Sequence, residues 1–203
     1  MENKIRDKEF LKKGKKYTDQ FLKDYKVKPQ LSERFQFRNI RPDEGDQAAD
    51  IETICFPPNE ACAPERMKER TLKVPELFLV AEDRGTGRIA GLINGVASES
   101  EAFRDEFFTD ISLHHPDGKN VFILGVDVLP QYRGQGLAKE LMYRYLLLCR
   151  EMGRNLVILT CLDSKVDMYR KMGYQDQGMS GSVWGGEQWH EMSAILADLD
   201  KMI

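Results

Sequence analysis

The sequence predicts an α+β fold around a single sheet, and three observations carry that expectation. Strand-like and helix-like segments succeed one another as strand, two helices, three strands, helix, strand, helix, two strands, which is not a regular βαβ alternation. Two of the strands, residues 77–82 and 88–98, flank Asp83-Arg84-Gly85-Thr86-Gly87, a hairpin turn. A third, residues 121–129, runs through Pro130 into Arg133-Gly134-Gln135-Gly136 and then into a helix-period stretch, residues 137–149. With 203 residues, 41% of them hydrophobic, the chain is long enough for one sizeable domain and an appendage.

Residues 1–26 read as a charged helix, with Phe10, Tyr17, Phe21 and Tyr25 at near-helical spacing, ended by Val27-Lys28-Pro29. Residues 1–34 hold eleven Lys or Arg against six Asp or Glu, while the whole chain has a net charge of −3. This basic, helical extension reads as a solvated helix, with a membrane surface or an acidic partner as the alternative. Residues 35–40 alternate as a strand, and Pro42-Asp43-Glu44 opens a helix to about Ile54 with proline and acids in its first turn. Phe56-Pro57-Pro58-Asn59-Glu60 is a loop, and Pro64-Glu65 starts a second helix to about Lys73. After the hairpin, residues 99–119 read as a helix and then a loop containing His114-His115-Pro116-Asp117-Gly118. Strand 120–129 and helix 135–151 follow, then a buried-type strand over 156–162. Residues 164–172 read as a helix capped by Ser164, with Gly173 at its C′ position. Residues 174–179 and 188–196 are closing strands around Trp184-Gly185-Gly186.

Bulk properties exclude several classes. A pI near 5.7 gives nucleic-acid binding no support. The N-terminal segment lacks the apolar core of a signal peptide, and there is no run of about 18 apolar residues for a membrane span. Cys55, Cys62, Cys149 and Cys161 form no Cys-x-x-Cys pair and no zinc spacing, so a cytoplasmic protein with reduced thiols and no metal is expected. Cys149 and Cys161 suit small buried positions best.

The strand–turn–helix run has the chemistry of an anion site. The first N–H groups of a helix have no intrahelical partners and sit at the positive end of its dipole. Gly134 and Gly136 lack a Cβ, so a phosphate can approach the backbone closely. The P-loop spacing Gly-x-x-x-x-Gly-Lys-Ser/Thr is absent, and Lys139 stands where a dinucleotide turn needs its third glycine. A pyrophosphate-bearing cofactor is the expectation, against an ordinary tightly packed junction.

The segment Arg133-x-x-Gly136-x-Ala138 resembles the Gln/Arg-x-x-Gly-x-Gly/Ala signature of the GNAT acyltransferases, which bind acetyl-CoA. The approach Val126-Asp127-Val128-Leu129-Pro130-Gln131-Tyr132-Arg133 is similar to that family too. The resemblance covers about residues 35–197. It implies the GNAT fold: a mixed, mostly antiparallel sheet of about seven strands, flanked by four helices and splayed between strands four and five. The domain would span 35–203, with residues 1–34 as an extension. It further implies that pyrophosphate lies on Arg133, Gly134, Gln135, Gly136, Leu137 and Ala138, with Lys139 beside them, and that pantetheine lies along Val126, Asp127 and Val128. An unpaired strand edge inside a protein needs polar partners, and the cofactor's amides would supply them.

A second resemblance concerns the acceptor. Phe56-Pro57-Pro58-Asn59-Glu60-Ala61 looks like the Phe-Pro-x-x-Glu-Ala pattern of arylalkylamine N-acetyltransferase-like members. Residues 75–82 and 167–174 fit their second strand and fourth helix. The resemblance implies direct acetyl transfer from acetyl-CoA to a small primary amine of arylalkylamine or polyamine type, without a metal. Vertebrate members carry histidines on the fourth strand, where Phe122 and Leu124 stand here. It therefore points to Tyr169 as general acid and to Glu60 as base, directly or through water. Packing of Tyr169 in the core, and Glu60 as a solvated carboxylate or cap, are the alternatives. A backbone N–H near Val126 would polarise the thioester. His114 and His115 read as a solvated loop pair or a base, and His190 as a strand-surface residue. The Asp127 side chain reads as an amine ligand or a bulge cap, and Trp184 and Trp189 as pocket lining or packing. A protein lysine or N-terminal acetyltransferase, and a catalytically weak CoA-binding module, stay open as further readings. So does a homodimer.

Overall fold

The computed structural model describes residues 7–198, and in it seven strands form one open sheet. These are β1 (Phe35–Asn39), β2 (Phe78–Asp83), β3 (Arg88–Ser98), β4 (Asn120–Val128), β5 (Leu156–Cys161), β6 (Gln175–Met179) and β7 (His190–Ile195), in the order β1-β2-β3-β4-β5-β7-β6. Every neighbouring pair is antiparallel except β4 with β5. The helices are α1 (Lys8–Asp24), α2 (Pro29–Arg34), α3 (Gly45–Cys55), α4 (Pro64–Lys73), α5 (Leu137–Glu151) and α6 (Val166–Arg170).

The parallel pair is short. Only Asn120, Val121 and Phe122 of β4 register with Leu156, Val157 and Ile158 of β5. Beyond them β4 pairs only with β3, and β5 only with β7, so the two strands part towards their C-terminal ends. A bulge explains where they part. Asn94 pairs with Gly125 and Gly95 with Ile123, which leaves Leu124 without an opposite residue, and a bulge bends its strand. The splay expected between strands four and five is therefore present.

The sheet is buried on both faces. Leu137, Leu141, Tyr145 and Leu146 of α5 pack on one side against Leu79, Ile93, Val121 and Ile123. Ala48 and Ile51 of α3 and Met67 of α4 pack on the other against Phe78, Val80 and Leu92. The basic segment docks on this framework. Thr18 Oγ1 donates to Gly173 O at 2.8 Å and accepts from Ile195 N at 3.0 Å, and Phe21, Leu22 and Leu31 join the main core. Among the described residues no helix is long and apolar enough to cross a membrane, and all four cysteines are free thiols.

Three local expectations need correcting. The helix expected over 1–26, whose first six residues lie outside those described, begins at Lys8 under an Asp7 cap, and a second helix starts at Pro29. Residues 99–119 form two single 3-10 turns, Asp105–Phe108 and Ile111–Leu113, rather than a helix. Ser100 and Asp110 bond to nearby backbone there and compete with helical hydrogen bonding. Ser164 does not cap α6, because a 3-10 turn Asp163–Lys165 precedes it and Lys165 takes the cap position without a side-chain bond. Gly173 does end that helix, with φ of 84° and Tyr174 N donating to Tyr169 O at 3.2 Å.

Candidate active site

The turn after β4 is built for backbone contact. Gly134 and Gly136 have φ of 75° and 93°, the left-handed region that glycine enters without strain. Gly136 is the N-cap of α5, so the unpaired N–H groups of that helix begin here. Open space lies where a Gly134 Cβ would point. Arg133 turns away, its Nε donating to Val128 O at 2.8 Å, which leaves Gly134, Gln135, Leu137 and Ala138 to present main chain. The N-terminal segment adds charge. Lys28 Nζ donates to Gln135 O at 3.3 Å and Arg34 Nη1 to Gln135 Oε1 at 3.1 Å. Lys139 Nζ instead stands 5.6 Å and 5.5 Å from the ring centres of Phe21 and Tyr25.

Between the splayed strands lies a cavity of about 530 Å³. Gly125, Val126 and Val128 of β4 face Leu159 and Cys161 of β5 across it, and Ala138 closes the end beside the turn. Aromatic rings from three segments form the opposite end. Phe108 and Trp184 stack with centres 4.6 Å apart, Trp184 Nε1 donates to Glu60 O at 2.8 Å, and Trp189 Nε1 to Trp184 O at 2.9 Å. Both tryptophans thus line the cavity, together with Phe56 and Glu60.

Tyr169 and Glu60 come together here, as lining residues from α6 and from the loop after α3. Burial pushes the Tyr169 phenol up, with Cys161 and the Asp127 charge adding to it, so the hydroxyl stays protonated. Burial, and the neighbouring Glu187, raise the Glu60 carboxyl. The Asp127 side chain is 0% exposed and turns towards α3, so from this residue only main chain is offered to the strand edge. Phe122 is buried against Phe107 and Phe103, and Leu124 lines the cavity; neither carries a proton.

The histidines lie elsewhere. His114 is half-buried rather than solvated, with its side chain turned inward: its Nδ1 accepts from Ala97 N at 3.1 Å and its Nε2 lies 3.3 Å from Glu76. It fastens the loop to β3, and burial lowers its pKa. His115 is exposed, and His190 at the start of β7 pairs with Asp176 and Asp163.

One residue escaped the sequence reading. Glu52 of α3 is 2% exposed and lines the cavity floor. Its Oε1 accepts from Cys62 N at 3.0 Å, and its carboxyl faces Asp127. The signal was its place in the helix: Ala48, Ile51, Glu52 and Cys55 share one face, and a lone acid on an apolar face costs energy to bury. Burial raises both carboxyls, Asp127 well above the ordinary range, where the Glu52 charge raises it further. The folded state therefore holds protons that the unfolded chain has released above about pH 4, so stability falls as pH rises from there. Asp127→Asn is expected to flatten that fall in thermal melts between pH 5 and 8. Parallel curves for variant and parent would remove the pair as its source.

A family model described as the acetyltransferase (GNAT) family matches residues 45–174. Serotonin N-acetyltransferase of Mesocricetus auratus is 26% identical over 165 residues, 79% of this chain and 77% of that protein. Among solved structures, the GNAT-like decarboxylase GphF in complex with isobutyryl-CoA superposes with a TM-score of 0.67 at 18% identity, over 80% of this chain and 100% of that one. Salmonella typhimurium yncA with its cofactor acetyl-CoA superposes with a TM-score of 0.57 at 15% identity, over 81% and 95%.

Proposed function

Because the chain belongs to the GNAT acetyltransferase family, we propose that this enzyme moves the acetyl group of acetyl-CoA to a small primary amine with an aromatic body. The observation that carries this reading is the pairing of carboxyls with rings in one cavity. Glu60 and Glu52 offer negative charge to an ammonium, while Phe56, Phe108, Trp184 and Trp189 offer flat apolar surface to what it is attached to. The similarity to a serotonin N-acetyltransferase supports it.

The residues fit acetyl-CoA, which supplies the activated acetyl thioester. The left-handed glycine turn and the N-terminus of α5 suit a pyrophosphate, with Lys28 and Arg34 adding positive charge. The open edge of β4 at Val126, Asp127 and Val128 suits an amide-bearing arm. Beside the turn, a second cavity of about 520 Å³ presents Tyr25, Lys26, Lys139 and Lys171 to the nucleotide end.

An ammonium cannot attack a carbonyl carbon until it loses a proton. Glu60, at the mouth and with a raised carboxyl, meets the cation first and takes that proton. A main-chain N–H near Val126 stabilises negative charge on the carbonyl oxygen. Tyr169 gives its proton to the departing thiolate.

Thiol release from acetyl-CoA with tryptamine, phenethylamine, spermidine and a lysine peptide tests the reading. Turnover is expected to be fastest with the two arylalkylamines. Preference for the peptide would make this a protein acetyltransferase, and CoA binding without turnover would make it a binding module.

A further inference from the structure

Helix α1 lies outside residues 45–174, the part of the chain that the family model matches, yet it is fastened to the helix that follows the glycine turn. At the sheet edge the fit is close. A Cβ on Gly14 would stand 2.5 Å from Gln175 Oε1 and 2.6 Å from Ile195 Cδ1, and one on Gly173 would stand 2.8 Å from Phe21 Cβ. Just past the end of α1, Tyr25 Oη donates to Glu140 Oε2 at 2.8 Å, in the first turn of α5, and Arg144 Nε holds Glu140 Oε1 at 2.6 Å. Glu140 is 0% exposed, so Tyr25 satisfies a carboxyl that the fold has already buried.

This docking creates the cavity of about 520 Å³ between α1, the start of α5 and the end of α6. One wall is a stripe of rings on α1. Tyr17, Phe21 and Tyr25 follow one another at one-turn spacing, and the centres of the last two are 5.5 Å apart. Tyr17 stays 43% exposed at the rim. The other walls are cationic. Arg170 is already paired with Asp167 and Asp176, and the Asp24 carboxyl accepts from Gln20. Among the described residues no carboxylate lies within ion-pair distance of Lys26, Lys139 or Lys171, which leaves three ammonium groups beside the rings. Such a surface suits a ligand that is flat and aromatic in one part and multiply anionic in another.

We propose that the N-terminal extension is the nucleotide-binding wall of the cofactor site: the adenine of acetyl-CoA rests on the Tyr17–Phe21–Tyr25 stripe, and Lys26 with Lys171 holds its 3′-phosphate. The proposal rests on the reading that the turn before α5 takes the pyrophosphate of acetyl-CoA. It gives the basic extension a role that a merely solvated helix lacks, and it makes α1 part of the binding site rather than a cover for the sheet edge.

Continuity with the turn supports the assignment. Gly136 caps α5 and Lys139 stands in that helix's first turn, over the rings of Phe21 and Tyr25, so one residue borders both the turn and the cavity. Lys28 Nζ, two residues beyond Lys26, reaches Gln135 O from the same segment. Charge supports it as well. A phosphate monoester carries about −1.5 to −2 at neutral pH, and Lys26 and Lys171 together match it. Binding and docking are then linked: whatever factor the docked extension adds to cofactor affinity, the cofactor returns to the docking of the extension.

Calorimetric titration of the full chain with CoA and with dephospho-CoA, which lacks only the 3′-phosphate, reads the site without turnover. The parent is expected to bind CoA about tenfold or more tighter than dephospho-CoA. Lys26→Ala combined with Lys171→Ala should cut that ratio below about threefold, while Lys16→Ala, on the same helix but outside the cavity, should leave it unchanged. Tyr17→Ala should weaken both ligands alike, by about fivefold or more, through loss of stacking. All four side chains belong to exposed residues, so the fold survives their removal. Amide exchange in α1 should slow on addition of CoA, and less with dephospho-CoA. Equal affinity of the parent for the two ligands, or a ratio that the double variant does not move, would overturn the proposal while the acetyl-CoA reading stands. So would a loss in Lys16→Ala as large as in the double variant, since it would trace the effect to the general charge of α1. If the parent binds neither ligand, the acetyl-CoA reading fails instead.

Discussion

Tyr169→Phe is expected to lower kcat about a hundredfold, in line with loss of a general acid, while the acetyl-CoA KM stays within about twofold. The ring keeps its place in the variant. Tyr169 lies edge-on to Tyr174 at 5.8 Å, and its carbonyl accepts from Tyr174 N, so α6 is held by main chain and by packing that phenylalanine reproduces. Stability should change by no more than about 1 kcal/mol, the usual weight of one hydroxyl's hydrogen bond. Because burial keeps the phenol protonated through the assay range, the substitution should lower the pH profile without changing its shape. Steady-state kinetics with phenethylamine separates the cases. An unchanged kcat would reduce Tyr169 to a core residue packing helix on sheet.

The same residue shows how far the sequence could be read. The elements were legible because their signals are local. Pro64 opens α4 and Gly173 closes α6, and the hairpin turn sets the ends of β2 and β3. The splay was legible only through resemblance, since its physical cause is a β-bulge at Leu124 that no periodicity reports. In the site, Tyr169 and Glu60 carry a motif each, and both line the cavity. Glu52 carries none. It becomes notable only when the fold sets it against Asp127, Asn94 and Gly125, three positions between 42 and 75 residues further along the chain. His114 misled for the complementary reason. A His-His-Pro run reads as solvent-exposed, but Ala97 N at the end of β3 needs an acceptor and finds it in the imidazole. The basic segment likewise gives no hint in its composition that Lys28 and Arg34 reach Gln135, a contact made across more than a hundred residues.

Gly136→Val is expected to raise the acetyl-CoA KM about tenfold or more, with a smaller effect on kcat at saturation. A β-branched residue held at φ of 93° costs on the order of 1–3 kcal/mol, and the chain escapes that cost by rotating the turn. Rotation misdirects the N–H groups at the start of α5, and a loss of 1–3 kcal/mol in binding corresponds to roughly 5- to 150-fold in affinity. A Cβ at this site would also lie 3.0 Å from Lys28 Nζ, so the substitution disturbs a neighbouring cation together with the backbone. The helix itself should survive, because Leu137, Leu141, Tyr145 and Leu146 are each no more than 1% exposed and anchor it to the sheet. Circular dichroism should therefore match the parent while acetyl-CoA titrations do not. Gly134→Ala is the internal comparison: it meets open space, so any weakening there reports the left-handed backbone alone. Equal acetyl-CoA affinity in Gly136→Val and the parent would show that binding does not depend on the geometry of this turn, and would remove the pyrophosphate from it.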